Sequence, residues 1–121
     1  MQKRFLREVS DVVENQKICR IIEEFSLYLL EEGNDFLEVK VKKSSHRVSL
    51  IFKCDKIEQE KLKELEHIFR HKRQQAFELY GWELIGQGDS ENELDLVSTL
   101  INYYTYYIRD GKVIFNLVRY E

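Results

Sequence analysis

The N-terminal part of the chain has a hydrophobic pattern with helical periodicity. Apolar residues recur every three or four positions, which places them on one side of a helix: Ile18, Ile21, Ile22, Phe25, Leu29 and Leu30. Asp11 and Glu14 have the spacing of a capping box at a helix start. Gly33 and Asn34 accept the left-handed backbone angles that end helices. The pattern predicts a helix over residues 12–32.

A hairpin is predicted directly after this helix. Residues 36–42 alternate between apolar and polar, as do residues 47–53, and Ser44, Ser45 and His46 form a turn between them. Alternation places the apolar residues of each strand on one face of a sheet. This hairpin therefore has one face that packs against a core.

The last third of the chain repeats the order of helix and hairpin. Ser90 and Glu93 have capping-box spacing, and apolar residues at helical spacing follow them. Asp110 and Gly111 form the dipeptide that a type I′ hairpin turn requires, because both central residues of that turn have positive φ. Apolar residues alternate on both sides of this turn, which predicts a second hairpin.

A charged amphipathic helix is predicted between the two halves, over residues 56–79, with Asp55 and Glu58 capping its start. Residues 86–90 hold two glycines and form the loop in which we expect flexibility. Three helices and two hairpins predict an α/β (α+β) fold, a two-layer sandwich. In it a four-stranded mixed sheet, built from the two β-hairpins, carries the helices on one face.

Composition limits the function classes. A chain of 121 residues fits a single domain, residues 1–121, in which residues 1–10 are either a short helix or an N-terminal arm. The net charge of −3 argues against a general nucleic-acid binder, which has a basic excess. Two cysteines without disulfide or zinc spacing predict a reducing, cytoplasmic location, and no membrane-spanning segment is predicted.

The dense basic cluster of the chain lies late in the middle helix. This cluster would bind an anion, a nucleic-acid phosphate or an acidic partner, and it consists of Arg70, His71, Lys72 and Arg73. Acidic residues precede them along the helix, an order that suits the helix dipole without any function. His67 and His71 have a spacing that can bind a metal, but no third ligand of suitable spacing is evident. We therefore predict no metal site and no cofactor.

The order of helix, hairpin, Gly-rich loop, helix and hairpin resembles the gyrase/histidine-kinase ATPase superfamily (the Bergerat fold), in particular its anti-sigma-factor kinase branch. The first helix of that superfamily carries a Glu and, four residues later, a magnesium-binding Asn. Glu24 matches the Glu, but Tyr28 replaces the Asn and is a weak ligand for a hard cation. Asp55 matches an adenine-reading Asp, although the glycines that follow it in the superfamily are missing.

Gly86 and Gly88 correspond to the second glycine box of the superfamily, whose helix start receives phosphates. Acidic residues crowd that helix start and would repel a triphosphate. The resemblance therefore implies a degenerate relative, a non-enzymatic regulatory or interaction domain on an ATPase-like scaffold. The alternative is a nucleotide or small-ligand binder whose pocket is lined by Glu24, Tyr28, Asp55, Gly86 and Gly88.

Apolar residues are also predicted on the sheet face that the helices leave open: Phe36, Ile51, Tyr103, Tyr107, Ile114, Val118 and Tyr120. Large exposed apolar patches are rare on monomers, and tyrosine is enriched at interfaces. We predict an interface here, for a homodimer or another protein partner. The alternative is a mixed, solvated face, on which tyrosines lie flat among the cations Lys40, Lys42, Lys53 and Arg109. No arrangement of catalytic residues is evident, so we predict no enzyme.

Overall fold

The fold is given by a computed structural model, which describes the backbone of residues 2–70 and 90–121 and the side chains of residues 11–70 and 93–121. The elements, in chain order, are α1 (Gln2–Glu31), β1 (Leu37–Ser44), β2 (Arg47–Cys54), α2 (Gln59–Ile68), α3 (Ser90–Ser98), β3 (Tyr103–Arg109) and β4 (Lys112–Tyr120). The predicted α+β fold with a four-stranded sheet is confirmed.

The strands are ordered β1-β2-β4-β3, and every neighbouring pair is antiparallel. The prediction of a mixed sheet is therefore wrong in this respect. The two hairpins join through their second strands, with Leu50 opposite Leu117 and Phe52 opposite Phe115. These second strands carry the buried apolar residues, so they occupy the centre of the sheet, and β1 and β3 form its edges.

The described helices pack on one face of the sheet and enclose the hydrophobic core. Phe25 on α1 lies at its centre, with its ring centroid 4.6 Å from that of Phe52 and 5.3 Å from that of Phe115. The fully buried residues of this core come from both layers: Ile21, Phe25, Leu29, Val48, Leu50, Phe52, Cys54, Leu65, Val97, Leu100, Phe115 and Leu117. Burial of one such aromatic side chain stabilises the fold by about 2–3 kcal/mol.

Helix α1 is longer than predicted, because it begins at Gln2 and runs through Asp11. The predicted start at residue 12, with a capping box of Asp11 and Glu14, is wrong. Residues 2–31 contain neither glycine nor proline, so nothing in the backbone interrupts the helix. The predicted end is confirmed: Gly33 has a φ of 88°, and the Asn34 side chain donates to the carbonyl of Leu29 at 2.9 Å.

Helix α2 begins later than predicted, at Gln59. Its N-cap residue Glu58 makes no side-chain capping hydrogen bond, and Asp55 forms an ion pair with Lys112 instead. The prediction that these two acids cap the helix is wrong, because the loop that precedes α2 is held at its backbone: the Lys56 N–H donates to the Asn34 side chain at 2.9 Å. Residues 71–79, predicted as the second half of this helix, lie outside the described residues.

Both hairpin turns use left-handed backbone angles. Asp110 has a φ of 51° and Gly111 a φ of 75°, which confirms the predicted turn of the second hairpin. In the first hairpin His46 has a φ of 62°. The register that these turns set is continuous along both hairpins, so the side chains of each strand alternate strictly between the two faces of the sheet.

Candidate functional site

The sheet face opposite the core is the candidate site, and we refer to it as the open face. The strand register assigns to it alternate residues from all four strands: Glu38, Lys40, Lys42, Arg47, Ser49, Ile51, Lys53, Tyr103, Thr105, Tyr107, Arg109, Lys112, Ile114, Asn116, Val118 and Tyr120. Phe36 and Asp55 extend it at one end, where Lys112 contacts both. No described helix covers it.

Three tyrosines of the open face project into solvent. Tyr103 is 58% exposed, Tyr107 51% and Tyr120 41%. The aliphatic residues Ile114 and Val118, on the central strand β4, are buried. Tyr103 and Tyr120 meet edge to face with ring centroids 5.7 Å apart. Partial burial, together with the hydrogen bond and charge of Tyr103, raises the pKa of Tyr120. The tyrosine rings of the open face are therefore accessible to a ligand, whereas its aliphatic side chains are largely shielded from solvent.

The open face is strongly basic. It carries three carboxylates, Glu38, Asp55 and Asp110, against six cations: Lys40, Lys42, Arg47, Lys53, Arg109 and Lys112. Lys112 pairs with Asp55 and lies 4.7 Å from the centroid of the Phe36 ring. The other five cations make no ion pair within the described part of the chain. Since the whole chain has a net charge of −3, its negative charge lies elsewhere.

A cavity of about 350 Å³ lies on this face, across all four strands and toward the turn of the second hairpin. Ile51 and Ile114 form its floor, and Tyr107 stands at one side. Its charged lining residues are three cations and two carboxylates: Lys40, Lys53, Arg109, Glu38 and Asp110. A concave apolar floor with a few polar groups around it is the usual form of a ligand site.

Sequence reasoning placed Lys40, Lys42, Lys53 and Arg109 on this face as signs of a solvated surface, but it missed the excess of cations over carboxylates there. The signal was present, because alternation places Lys40 and Lys53 on the same face as Tyr107 once the register is known. The net charge of the chain concealed it, since a sum over all residues does not show how charge is divided between surfaces.

The residues predicted to line a nucleotide pocket do not form one site among the described residues. Glu24 and Tyr28 lie on the helix side of the sheet, whereas Asp55 pairs with Lys112 of the open face. Gly86 and Gly88 lie outside the described residues. Two of the five predicted positions are therefore neighbours, on successive turns of α1.

The environments of these α1 residues raise their pKa values. Burial, and next the nearby Glu93 carboxylate, raise the pKa of Glu24. Burial, followed by the charges of Glu32 and Glu64, raises the pKa of Tyr28. The Tyr28 hydroxyl is buried without a hydrogen-bond partner in the described ranges. This region is acidic, a poor environment for a triphosphate.

The other predicted sites are only partly described. Arg70 is exposed after the end of α2, while His71, Lys72 and Arg73 lie outside the described residues, as does one of the two histidines considered as metal ligands. Among the side chains that are described, no group of three potential metal ligands occurs. No helix in residues 2–70 or 90–121 has the length and hydropathy needed to cross a bilayer.

No family model, curated protein or solved structure matches this chain. The resemblance to the ATPase superfamily therefore stays a prediction.

Proposed function

We propose that this chain is a non-enzymatic binding domain whose open face takes a polyanionic partner. The observation that carries the proposal is the segregation of charge. Five cations without ion pairs in the described structure share one sheet face of a chain whose net charge is −3. A cluster of one sign raises the local concentration of ligands of opposite sign and orients their approach.

The same charge makes a second copy of the chain a poor occupant of this face. A homodimer with two open faces in contact would bring two cationic surfaces together, and juxtaposed like charges cost several kcal/mol. An anionic partner instead neutralises Lys40, Lys53 and Arg109, which surround the cavity. The chain therefore retains the predicted role in interactions, but its partner on this face is a polyanion and not a second copy of itself.

Retention on immobilised heparin tests the proposal, because heparin is a polyanion without bases. The test variant carries both Lys53→Glu and Arg109→Glu, on the open face. The control variant carries both Arg20→Glu and Lys63→Glu, on the exposed surfaces of α1 and α2. Both doubles change the net charge equally. Circular dichroism confirms that each variant is folded.

The wild-type chain is expected to bind heparin at low salt, the control to elute slightly earlier and the open-face variant to pass through unretained. A difference between two variants of equal net charge can arise only from where the charge lies. Passage of the wild-type chain through the column at low salt would contradict the proposal, as would equal elution of the two variants.

A further inference from the structure

We infer that the polyanion is a single-stranded nucleic acid, whose bases stack on Tyr103 and Tyr107 while its phosphates lie along the cations of the open face. This inference rests on the proposed function, because it identifies the partner of the same surface. It is carried by the juxtaposition of exposed aromatic rings with cations that make no ion pair to any described residue, a combination that a purely electrostatic surface does not need.

The tyrosines have the exposure that base stacking requires. Tyr103 and Tyr107 lie on the edge strand β3 with more than half of each side chain in solvent. They are four positions apart on the same face, so they stand about 13 Å apart along the strand. Aromatic rings presented by a sheet or groove are the platforms on which unpaired bases stack, with little dependence on sequence.

The cavity beside Tyr107 suits one base. Its volume of about 350 Å³ lies at the lower end of the range for small-molecule sites. The aliphatic floor of Ile51 and Ile114 can contact the flat side of a base, and Glu38 and Asp110 can accept hydrogen bonds from exocyclic amino groups. Lys40, Lys53 and Arg109 remain available for the flanking phosphates.

A single strand fits this face better than a duplex. In a duplex the bases are stacked on one another and paired, so their flat sides cannot reach Tyr103 or Tyr107. A carboxylate-rich peptide segment would satisfy the cations but has no flat rings to stack on Tyr103 and Tyr107. The tyrosines therefore decide between classes of polyanion that the charges alone would accept.

Fluorescence anisotropy at low salt tests the inference with four labelled probes. They are a single-stranded oligonucleotide of about ten nucleotides, its duplex, an abasic strand of the same length and a poly-glutamate peptide. The abasic strand retains the phosphates and lacks the bases. We expect the single strand to bind at least tenfold more tightly than each of the other three.

Substitutions on β3 separate stacking from charge. Tyr107→Ala is expected to weaken binding of the single strand about tenfold and to leave the abasic strand unaffected. Tyr107→Phe retains the ring and is expected to bind like the wild type. The matched control is Ile108→Ala, because Ile108 is 64% exposed on the same strand and its side chain lies on the opposite face.

The outcomes distinguish this inference from the proposed function. Equal binding of normal and abasic strands, with no effect of Tyr107→Ala, would overturn the inference and leave polyanion binding intact. Tighter binding of poly-glutamate than of the single strand would assign the face to an acidic protein. Absence of binding to all four probes, together with no retention on heparin, would overturn both proposals.

Discussion

The guanidinium group of Arg119 is buried against the carboxylate of Glu14, although 105 residues separate them in the chain. Nε donates to Oε2 at 3.0 Å and Nη2 to Oε1 at 2.7 Å, a two-point contact, while Nη1 donates to the carbonyl of Leu100 at 2.9 Å. Arg119 is 1% exposed. The pair therefore links the last strand to the first helix and to the turn after α3.

Removal of one partner of this pair is expected to destabilise the fold strongly, because the other charge stays buried. Glu14→Ala should lower the free energy of unfolding by about 3 kcal/mol. The control Glu23→Ala, in a solvent-exposed pair with Arg20, should cost less than about 1 kcal/mol. Urea denaturation measures both.

The double substitution Glu14→Leu with Arg119→Met removes both charges and is expected to recover most of the lost stability. If Glu14→Ala costs no more than the control, the Arg119 charge is accommodated without Glu14, and the argument from burial is wrong.

The Glu24 carboxyl is expected to make stability fall as the pH rises. Burial, and then Glu93, raise its pKa above the ordinary 4.5, so the folded state binds a proton that the unfolded state has already lost. Stability should therefore decrease from pH 4.5 up to the raised pKa and become level above it. Glu24→Gln removes this ionisation.

Thermal unfolding from pH 4 to pH 8 checks the Glu24 prediction. Glu24→Gln should have a higher melting temperature than the wild type at pH 7 and a flatter profile above pH 4.5. Glu60→Gln, at an exposed position of α2 whose charge is not among the causes that raise the pKa of Glu24, is expected to leave the profile unchanged. Parallel profiles of the wild type and Glu24→Gln would contradict the assignment.

Much of this fold could be predicted from local sequence patterns. Alternation and the Asp110-Gly111 dipeptide predicted both hairpins, because strand faces and turn angles depend on neighbouring residues. Non-local relationships could not be predicted in this way. Glu14 has the spacing of a cap and yet binds Arg119, and Asp55 binds Lys112, since each partner comes close only when the sheet forms.

The candidate site was likewise predictable only in part. Six of the seven apolar residues expected on the open face lie there by register, and Phe36 lies at its end against Lys112, but their role as an interface stays a prediction. Alternation placed Lys40, Lys42, Lys53 and Arg109 on this face, but it could not show which apolar residues they adjoin. The pairing of β2 with β4 places Arg47 beside Tyr120 and Lys53 beside Ile114.

The turn of the second hairpin is expected to be sensitive at Gly111. A Cβ atom built there contacts nothing within 4 Å, so the cost of Gly111→Ala arises only from its φ of 75°. We expect a loss of about 1 kcal/mol in the free energy of unfolding. Asp110→Asn, which retains a residue that tolerates positive φ, should change it by less than about 0.5 kcal/mol. If Gly111→Ala and the wild type have equal free energies of unfolding, the positive φ of Gly111 imposes no strain on alanine.

The chain is expected to be monomeric at low salt, because the open faces of two copies repel each other. Size-exclusion chromatography with light scattering measures the mass directly. A dimer that disappears in the Tyr103→Ser, Tyr107→Ser double variant and persists in Ile108→Ser would support the predicted homodimer and contradict the charge argument. High salt, which screens the repulsion, provides the second condition for both variants.

Salt dependence is expected to separate the two kinds of contact that the open face makes with a single strand. Each cation that neutralises a phosphate releases counterions, which adds about 0.7 to the slope of log K against log salt concentration. Arg109→Gln should therefore reduce the slope by about 0.7 and weaken binding. Tyr107→Ala should weaken binding about tenfold at every salt concentration with the slope unchanged, because stacking releases no phosphate counterions.

Arg20→Gln, on α1 and away from the open face, is the control for charge, and it is expected to retain the wild-type slope. If Tyr107→Ala lowers the slope as much as Arg109→Gln does, the ring only positions a cation and does not stack on a base. If Arg20→Gln lowers it equally, the strand binds the chain through its overall charge. In the predicted pattern both Arg109→Gln and Tyr107→Ala weaken binding, but only Arg109→Gln lowers the slope. This pattern requires that phosphates and bases contact different side chains of the same sheet face.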